Sequence, residues 1–436
     1  MLKKLILICG WALLCQLTVN AQSEIPPAIR TSRKIMDGFM DLRFGMFIHF
    51  GPVTLRGTEI GWSRGNQVTV SDYDHLYKEF DPVLFNADRW VKAAKDAGMK
   101  YLVITAKHHD GFCLWPSAYT DYDIASTPFK KDVVGALAKA CRKQGIKFGI
   151  YYSVLDWHYP DYPMHSNDGP VDPHADMGKY IVYMKNQLKE LVSRYHPFLL
   201  WFDGNWQKPW TQAEAVDMYK YIKQLDPDVI INNRLNGLND HKVLNSETVG
   251  DYATPEQQVG AIDMVHPWES CITICHQWSW KPNDKLKSLK ECLDILASTS
   301  GGNGNLLLNV SPMLDGRMEV RQVDRLKEMG DWLHKYGDAI YDTHGGPYKP
   351  DTTFTATRKG NKINILLLQR PAGVLTLQNI PGCKVLKAYF MGGGQVAFTQ
   401  DNSGIHLTLP DVLADVNCNV IVLELDKSAD DIPLID

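Results

Sequence analysis

Polar and titratable residues recur where apolar runs of this chain stop. The run Phe44–Phe50 carries His49 near its end, and Tyr101–Ala106 is followed by Lys107-His108-His109-Asp110. Phe148–Ser153, with Tyr151 and Tyr152, leads to Asp156-Trp157-His158; Phe198–Phe202 stops at Asp203-Gly204; Val229–Asn232 runs into Asn233-Arg234. One such case is ordinary capping, but five at matching positions point to a shared pocket. Asp203 is the sharpest candidate. It follows Phe198-Leu199-Leu200-Trp201-Phe202, which must be buried, and the next helix starts near Thr211, too far along to use Asp203 as its cap. A carboxylate at a strand end beside aromatic rings suits a nucleophile or a base.

Hydrolysis by paired carboxylates needs a second acid. Glu247, Glu256 and Glu269 all follow the fifth run. Glu256 closes the segment Asp251-Tyr252-Ala253-Thr254-Pro255-Glu256, read as a loop that can reach over a barrel mouth. Glu269 lies in His266-Pro267-Trp268-Glu269, read as near a strand end, and spacing leaves the choice open. The pair His108-His109 raises metal chemistry. Adjacent side chains on a strand point to opposite faces, and there is no His-Glu-x-x-His and no carboxylate cluster at ligand spacing. Neutral imidazoles donating to substrate hydroxyls are the favoured reading, with no metal and no organic cofactor. A metal-dependent hydrolase built on His108 and His109 is the rival. His165 and His174, in a Pro-rich loop, read as solvated.

The elements that must position these residues alternate. Helical periodicity marks Asp88–Gly98, Asp132–Gln144, Gly178–Tyr195, Ala213–Leu225, Leu286–Ser298 and Val320–Tyr341. Between them lie short apolar strands, including Leu306–Val310 and the weaker candidates Val243–Ser246 and Met264–Val265. Buried, non-alternating strands imply a parallel sheet. Some eight units over about 300 residues favour a closed (β/α)8-like barrel, spanning residues 22–343. No Gly-x-Gly-x-x-Gly follows the first strand, so a dinucleotide fold lacks its fingerprint. After His344-Gly345-Gly346-Pro347 the helical period disappears, and seven short strands from Thr352 to Leu425 predict a β-sandwich over 344–436.

The 436 residues carry a net charge of -4, which argues against a polyanion-binding surface. Lys3 and Lys4 precede an apolar run to Leu17, and Val19-Asn20-Ala21 resembles a cleavage site, so residues 1–21 read as a signal peptide. The expected product is exported, periplasmic or secreted, with no transmembrane segment. Nine cysteines become seven after cleavage, an odd number without the spacing of a disulfide framework. Of the 12 tryptophans, Trp90 and Trp332 sit on helices and read as core. Trp62, Trp157, Trp206, Trp210, Trp268, Trp278 and Trp280 fall at or beyond inferred strand ends, where they could line a site for a half-apolar ligand.

The chain resembles the glycoside hydrolase family 29 α-L-fucosidases over nearly all of its mature length. The resemblance is carried by Arg43-Phe44-Gly45-Met46-Phe47-Ile48-His49-Phe50-Gly51, Ala106-Lys107-His108-His109-Asp110-Gly111-Phe112, Trp201-Phe202-Asp203-Gly204 and Gly302-Asn303-Gly304-Asn305-Leu306-Leu307-Leu308-Asn309. It implies exo-acting, retaining hydrolysis of a terminal fucose on a fucosylated oligosaccharide or glycoconjugate. Asp203 matches the family nucleophile. Glu256 matches an acid/base position used in several members, and Glu269 a residue proposed for the same role. The resemblance also assigns His49, His108 and His109 to fucose hydroxyls, Tyr151 to the neighbourhood of the nucleophile and Arg234 to that of the acid/base. Trp278 or Trp280 resembles the aromatic wall against the sugar's C5 methyl group. Trp62 aligns with the tryptophan of a Glu-Trp pair found in many members, whereas Glu59 is displaced from the partner position. A non-catalytic fucose-binding protein on the same barrel is the second rival.

Overall fold

The computed structural model describes residues 25–237, 242, 244–245, 247–371, 373–413 and 415–435. The expected leader lies outside them, as do Val243 and Ser246, the ends of one weak strand candidate.

Seven parallel strands form one curved sheet: β1 (Phe44–Ile48), β2 (Tyr101–Lys107), β3 (Lys147–Ser153), β4 (Leu199–Asp203), β5 (Ile230–Ile231), β6 (Glu269–Thr273) and β7 (Asn305–Val310). Their order is β5-β4-β3-β2-β1-β7-β6. The gap between β5 and β6 is filled by residues 251–257, an extended segment bonded to both edges. On one side Asn233 N donates to Tyr252 O (2.9 Å). On the other, Glu269 N donates to Ala253 O (2.9 Å) and Gln257 N to Cys271 O (2.9 Å). Isolated parallel bridges pair Asn232 with Tyr252, Ala253 with Trp268 and Glu256 with Cys271. This irregular eighth strand closes the barrel. Glu256 therefore stands in the barrel wall rather than on a covering loop.

Side-chain alternation sorts the strands. Phe47, Val103, Tyr151, Leu199, Trp201, Ile230, Cys271 and Leu307 fill the interior, while Ile48, Ile104, Leu200, Phe202 and Leu308 face the surrounding helices. On β4 this period leaves Asp203, two residues beyond Trp201, on the inner face. The helices have local reasons to start where they do. Thr211 and Ser288 build capping boxes with Glu214 and Glu291, and Asp132 caps the helix that Gly145 ends at φ 75°.

The expected strand at Met264–Val265 is a turn. Asp263 Oδ1 accepts from Val265 N and His266 N at 2.8 Å each, and the strand starts later, at Glu269. From His344 the chain forms antiparallel sheets of five and three strands around their own apolar core. Trp332 Nε1 donates to Cys418 O (2.9 Å) and Thr357 Oγ1 to Ala339 O (2.6 Å), fastening these sheets to the last helix of the barrel, Val320–Tyr336, and to the short turn after it. All seven described cysteines are unpaired.

Trp268 belongs to the closure rather than to a site. It is buried, its indole N–H donates to Gly302 O (3.2 Å), and its ring lies so near Gly304 that a Cβ there would sit 2.5 Å from it. Trp268→Ala should cost about 3–5 kcal/mol of stability, measured by denaturant unfolding; a loss under about 1 kcal/mol would contradict this packing role.

Candidate active site

A cavity of about 350 Å³ opens at the C-terminal ends of the barrel strands. Its lining includes Phe47, His49, Trp62, His108, Tyr151, Trp201, Asp203, Arg234, Glu256 and Trp278. Loops extend the wall with Asn167, Asn205 and Trp206.

Two carboxylates meet on one cation. Arg234 Nη1 lies 3.0 Å from Asp203 Oδ1 and 2.9 Å from Glu256 Oε2. Because both oxygens touch the same nitrogen, they are at most 5.9 Å apart, the sum of those two distances. Arg234 is buried. Its Nε donates to Thr254 Oγ1 (3.0 Å), its Nη2 to Thr254 O (3.1 Å), and its plane lies over the Trp201 ring at 4.8 Å. Tyr151 OH donates to Asp203 Oδ2 (3.0 Å). Burial alone would raise the Asp203 carboxyl, but the Arg234 charge and the hydrogen bonds from Arg234 and Tyr151 hold it below the usual range. Glu256 has a more open setting, its side chain 35% exposed against 13% for Asp203.

The histidines are neutral, and hydrogen bonds select the tautomers of His49 and His109. Burial lowers His49 to about 3 and His109 to about 4, and takes His108 well below its ordinary value. Asn309 Nδ2 donates to Trp278 O (2.8 Å), so Asn309 Oδ1 must accept from His49 Nδ1 at 2.7 Å. Ser153 Oγ donates to Leu155 O (2.8 Å), so it accepts from His109 Nδ1 at 2.7 Å. In both rings Nε2 is left with a lone pair. These imidazoles therefore accept from a hydroxyl rather than donate to one, which corrects the sequence-based expectation. His108 and His109 also fail to point apart. The ladder slips between Thr105 and Lys107, the chain turns at Gly111 (φ 80°), and the two rings lie 4.1 Å apart. His108 stacks on Tyr151 and lines the cavity. His109 sits behind the wall, its Nε2 3.6 Å from Asp203 Oδ2. Among the described residues, no three His, Cys, Asp or Glu side chains could together hold a metal ion.

Glu269 stands at the start of β6, not near its end, one inward-facing position below Cys271. It is fully buried and does not line the cavity. It accepts from Tyr101 OH, from Trp201 Nε1 (3.0 Å) and from Tyr252 OH (3.4 Å). Trp278 faces His49 and Phe47, but Trp280 does not line the cavity. Glu59 explains the difference. Its carboxylate accepts from Trp278 N (2.9 Å) and Ser279 N (3.0 Å), which pins the turn with Trp278 inward. Of the other tryptophans expected at strand ends, Trp157 packs behind His109, and Trp210 donates to Leu235 O (2.8 Å) in the core. Trp206, expected at a strand end, does line the cavity; sequence reasoning missed Phe47, Trp201, Cys271, Asn309 and the loop residues Asn167 and Asn205. The period-2 alternation back from Asp203 could have found Trp201.

The Glu269 carboxyl gives a pH test. Burial pushes it up to about 7, so the folded state holds its proton more tightly than the unfolded chain. Its stabilising contribution is complete below the ordinary 4.5 and is lost as pH rises through about 7. Glu269→Gln should therefore gain stability relative to the parent between those pH values, by on the order of 3 kcal/mol. Urea titrations at the two ends measure it, and a difference independent of pH would contradict it.

Comparison with known proteins agrees with this geometry. The family model described as alpha-L-fucosidase matches residues 13–338. The tissue α-L-fucosidase of Rattus norvegicus is 29% identical over 440 residues, covering 92% of this chain and 93% of that protein. An α-L-fucosidase of Branchiostoma floridae is 30% identical over 376 residues, covering 79% and 82%. Among solved structures, isoenzyme 1 of Paenibacillus thiaminolyticus superposes with a TM-score of 0.83 at 34% identity, covering 90% of this chain and 99% of that one. A family 29 enzyme of Bacteroides thetaiotaomicron, trapped as a covalent intermediate with 2-fluoro-fucosyl fluoride, gives 0.82 at 28% identity, covering 92% and 100%. A parallel barrel whose mouth holds paired carboxylates on one arginine thus coincides with a family match across most of the sequence, and the chain belongs to the α-L-fucosidase family of glycoside hydrolases.

Proposed function

We propose that Asp203 is the nucleophile and Glu256 the general acid/base of a retaining, exo-acting α-L-fucosidase. The observation that carries the assignment is the shared Arg234 nitrogen, which limits the separation of the two carboxylate oxygens to 5.9 Å. Retaining pairs stand about 5–5.5 Å apart, whereas inverting pairs need about 6.5–9.5 Å to admit a water. In the first step an Asp203 oxygen bonds to the anomeric carbon as its bond to the leaving oxygen breaks. That oxygen takes the proton of Glu256. In the second step Glu256 removes a proton from water, the water oxygen bonds to the anomeric carbon, and Asp203 is released as carboxylate with free fucose. Ester formation neutralises Asp203 and leaves Arg234 with Glu256 as its remaining anionic neighbour, the charge arrangement a general base requires.

The floor suits the sugar. His49 Nε2 offers a lone pair to a hydroxyl. We assign the apolar corner of Phe47 and Trp278 to the C5 methyl group of a 6-deoxy sugar. No helix among the described residues is long and apolar enough to cross a membrane. With the Lys3-Lys4 and apolar start of the sequence, we infer export with cleavage after Ala21; sequencing the N-terminus of the exported protein should begin at Gln22.

Asp203→Gly should lose on the order of 10⁴-fold or more in kcat on an aryl α-L-fucoside while folding normally. The parent treated with 2-fluoro-fucosyl fluoride should carry its adduct on Asp203 by peptide mass spectrometry. Glu256→Ala should fall by about 10²–10⁴-fold on poor leaving groups and recover with azide on activated ones. A β-configured first product by NMR, or an adduct on another residue, would overturn the assignment.

A further inference from the structure

We propose that the rim of the cavity is a second sugar subsite, built from Trp206, Trp62 and Asn167, which takes a neutral pyranose linked to the departing fucose. The proposal rests on the fucosidase reading. Fucose held on the floor by Asp203 and the histidines must send its leaving group toward the mouth, where three loops converge. Trp62 follows β1, Asn167 follows β3 and Trp206 follows β4.

The chemistry of that rim is specific. Trp62 and Trp206 lie nearly parallel, 17° apart with centroids at 5.6 Å. Trp62 is 40% exposed and is the one tryptophan among the described residues left that open to water. An exposed indole that stacks on a second one at a cavity mouth is an apolar platform awaiting a flat ligand face. Trp206 has spent its only polar group, because its N–H donates to Asn167 Oδ1 (2.9 Å). What remains is carbon, which matches the C–H face of a pyranose.

The platform is held rigidly. Gln207 Nε2 donates to Ser166 O and Asn167 O at 2.9 Å each, Tyr162 OH donates to Gln207 Oε1 (2.8 Å), and Arg64 Nη1 donates to His165 O (2.7 Å). Those bonds fasten the β3 loop to the β1 and β4 loops, so the rim is preorganised for a partner. Its charge selects among sugars. The three rim side chains are neutral, and the charged group hydrogen-bonded to them is Asp168, which accepts from Asn167 Nδ2 (3.0 Å). A negative charge there disfavours sulfated or sialylated neighbours and admits neutral hexoses.

The test compares two substrates. One is a trisaccharide with fucose on a neutral disaccharide; the other is fucosyl fluoride, which has no aglycone. Trp206→Ala should lower the ratio of kcat/KM for trisaccharide over fluoride roughly tenfold, and Trp206→Phe should restore most of it. Asn167→Ala, which frees the Trp206 ring, should lower the ratio in the same direction. A ratio unchanged in both alanine variants, or equal losses on both substrates, would overturn the subsite while leaving the fucosidase reading intact. A parent enzyme inert toward both substrates would overturn the two together.

Discussion

The buried guanidinium of Arg234 is the interaction on which the rest of the site depends. Desolvating a cation is expensive unless every donor finds a partner. Here Nη1 bonds Asp203 and Glu256, Nε and Nη2 bond Thr254, and Trp201 lies beneath the plane. These partners come from β4 and from the irregular strand that closes the barrel. The same charge that holds two carboxylates near each other therefore also joins the seam of the fold. A lysine could supply the charge but not the planar fork that reaches an ion pair and a backbone carbonyl at once.

Around that centre, backbone and amide groups decide what the reactive side chains offer. Asn309 and Ser153 do not face a substrate, yet they determine that His49 and His109 present lone pairs. Glu59 works one step further out. Its carboxylate takes the N–H groups of Trp278 and Ser279, choosing which of two nearby tryptophans enters the cavity. Glu269 lies under the floor and holds the Trp201 indole, which in turn stacks on Tyr151 at 5.6 Å. Preorganisation is thus spread over layers, each polar group being satisfied by the next.

The fold was legible because its signals are local. Apolar strand runs, amphipathic helices and their caps follow from side-chain periodicity and short-range hydrogen bonds, and they mark both the barrel and the later β-rich region. Met264–Val265 failed as a strand because an aspartate side chain turned that segment, a competition that apolar content does not register. Residues 251–257 look like a loop in sequence, polar and Pro-containing; their pairing depends on two strands supplied by other parts of the chain.

What the sequence determined by itself was the inventory: a strand-end Asp203 on the inward face, several candidate acids and a row of histidines and tryptophans at matching positions. Residue type and period suffice for that, since they fix which way a strand side chain points. What only the tertiary structure decided was the pairing. Glu256 and Glu269 are 13 residues apart and equally acidic on paper. One reaches Arg234 at the mouth while the other is sealed among Tyr101, Trp201 and Tyr252. Closure of the barrel separates them, because it places the end of one strand and the start of the next at different depths along one axis.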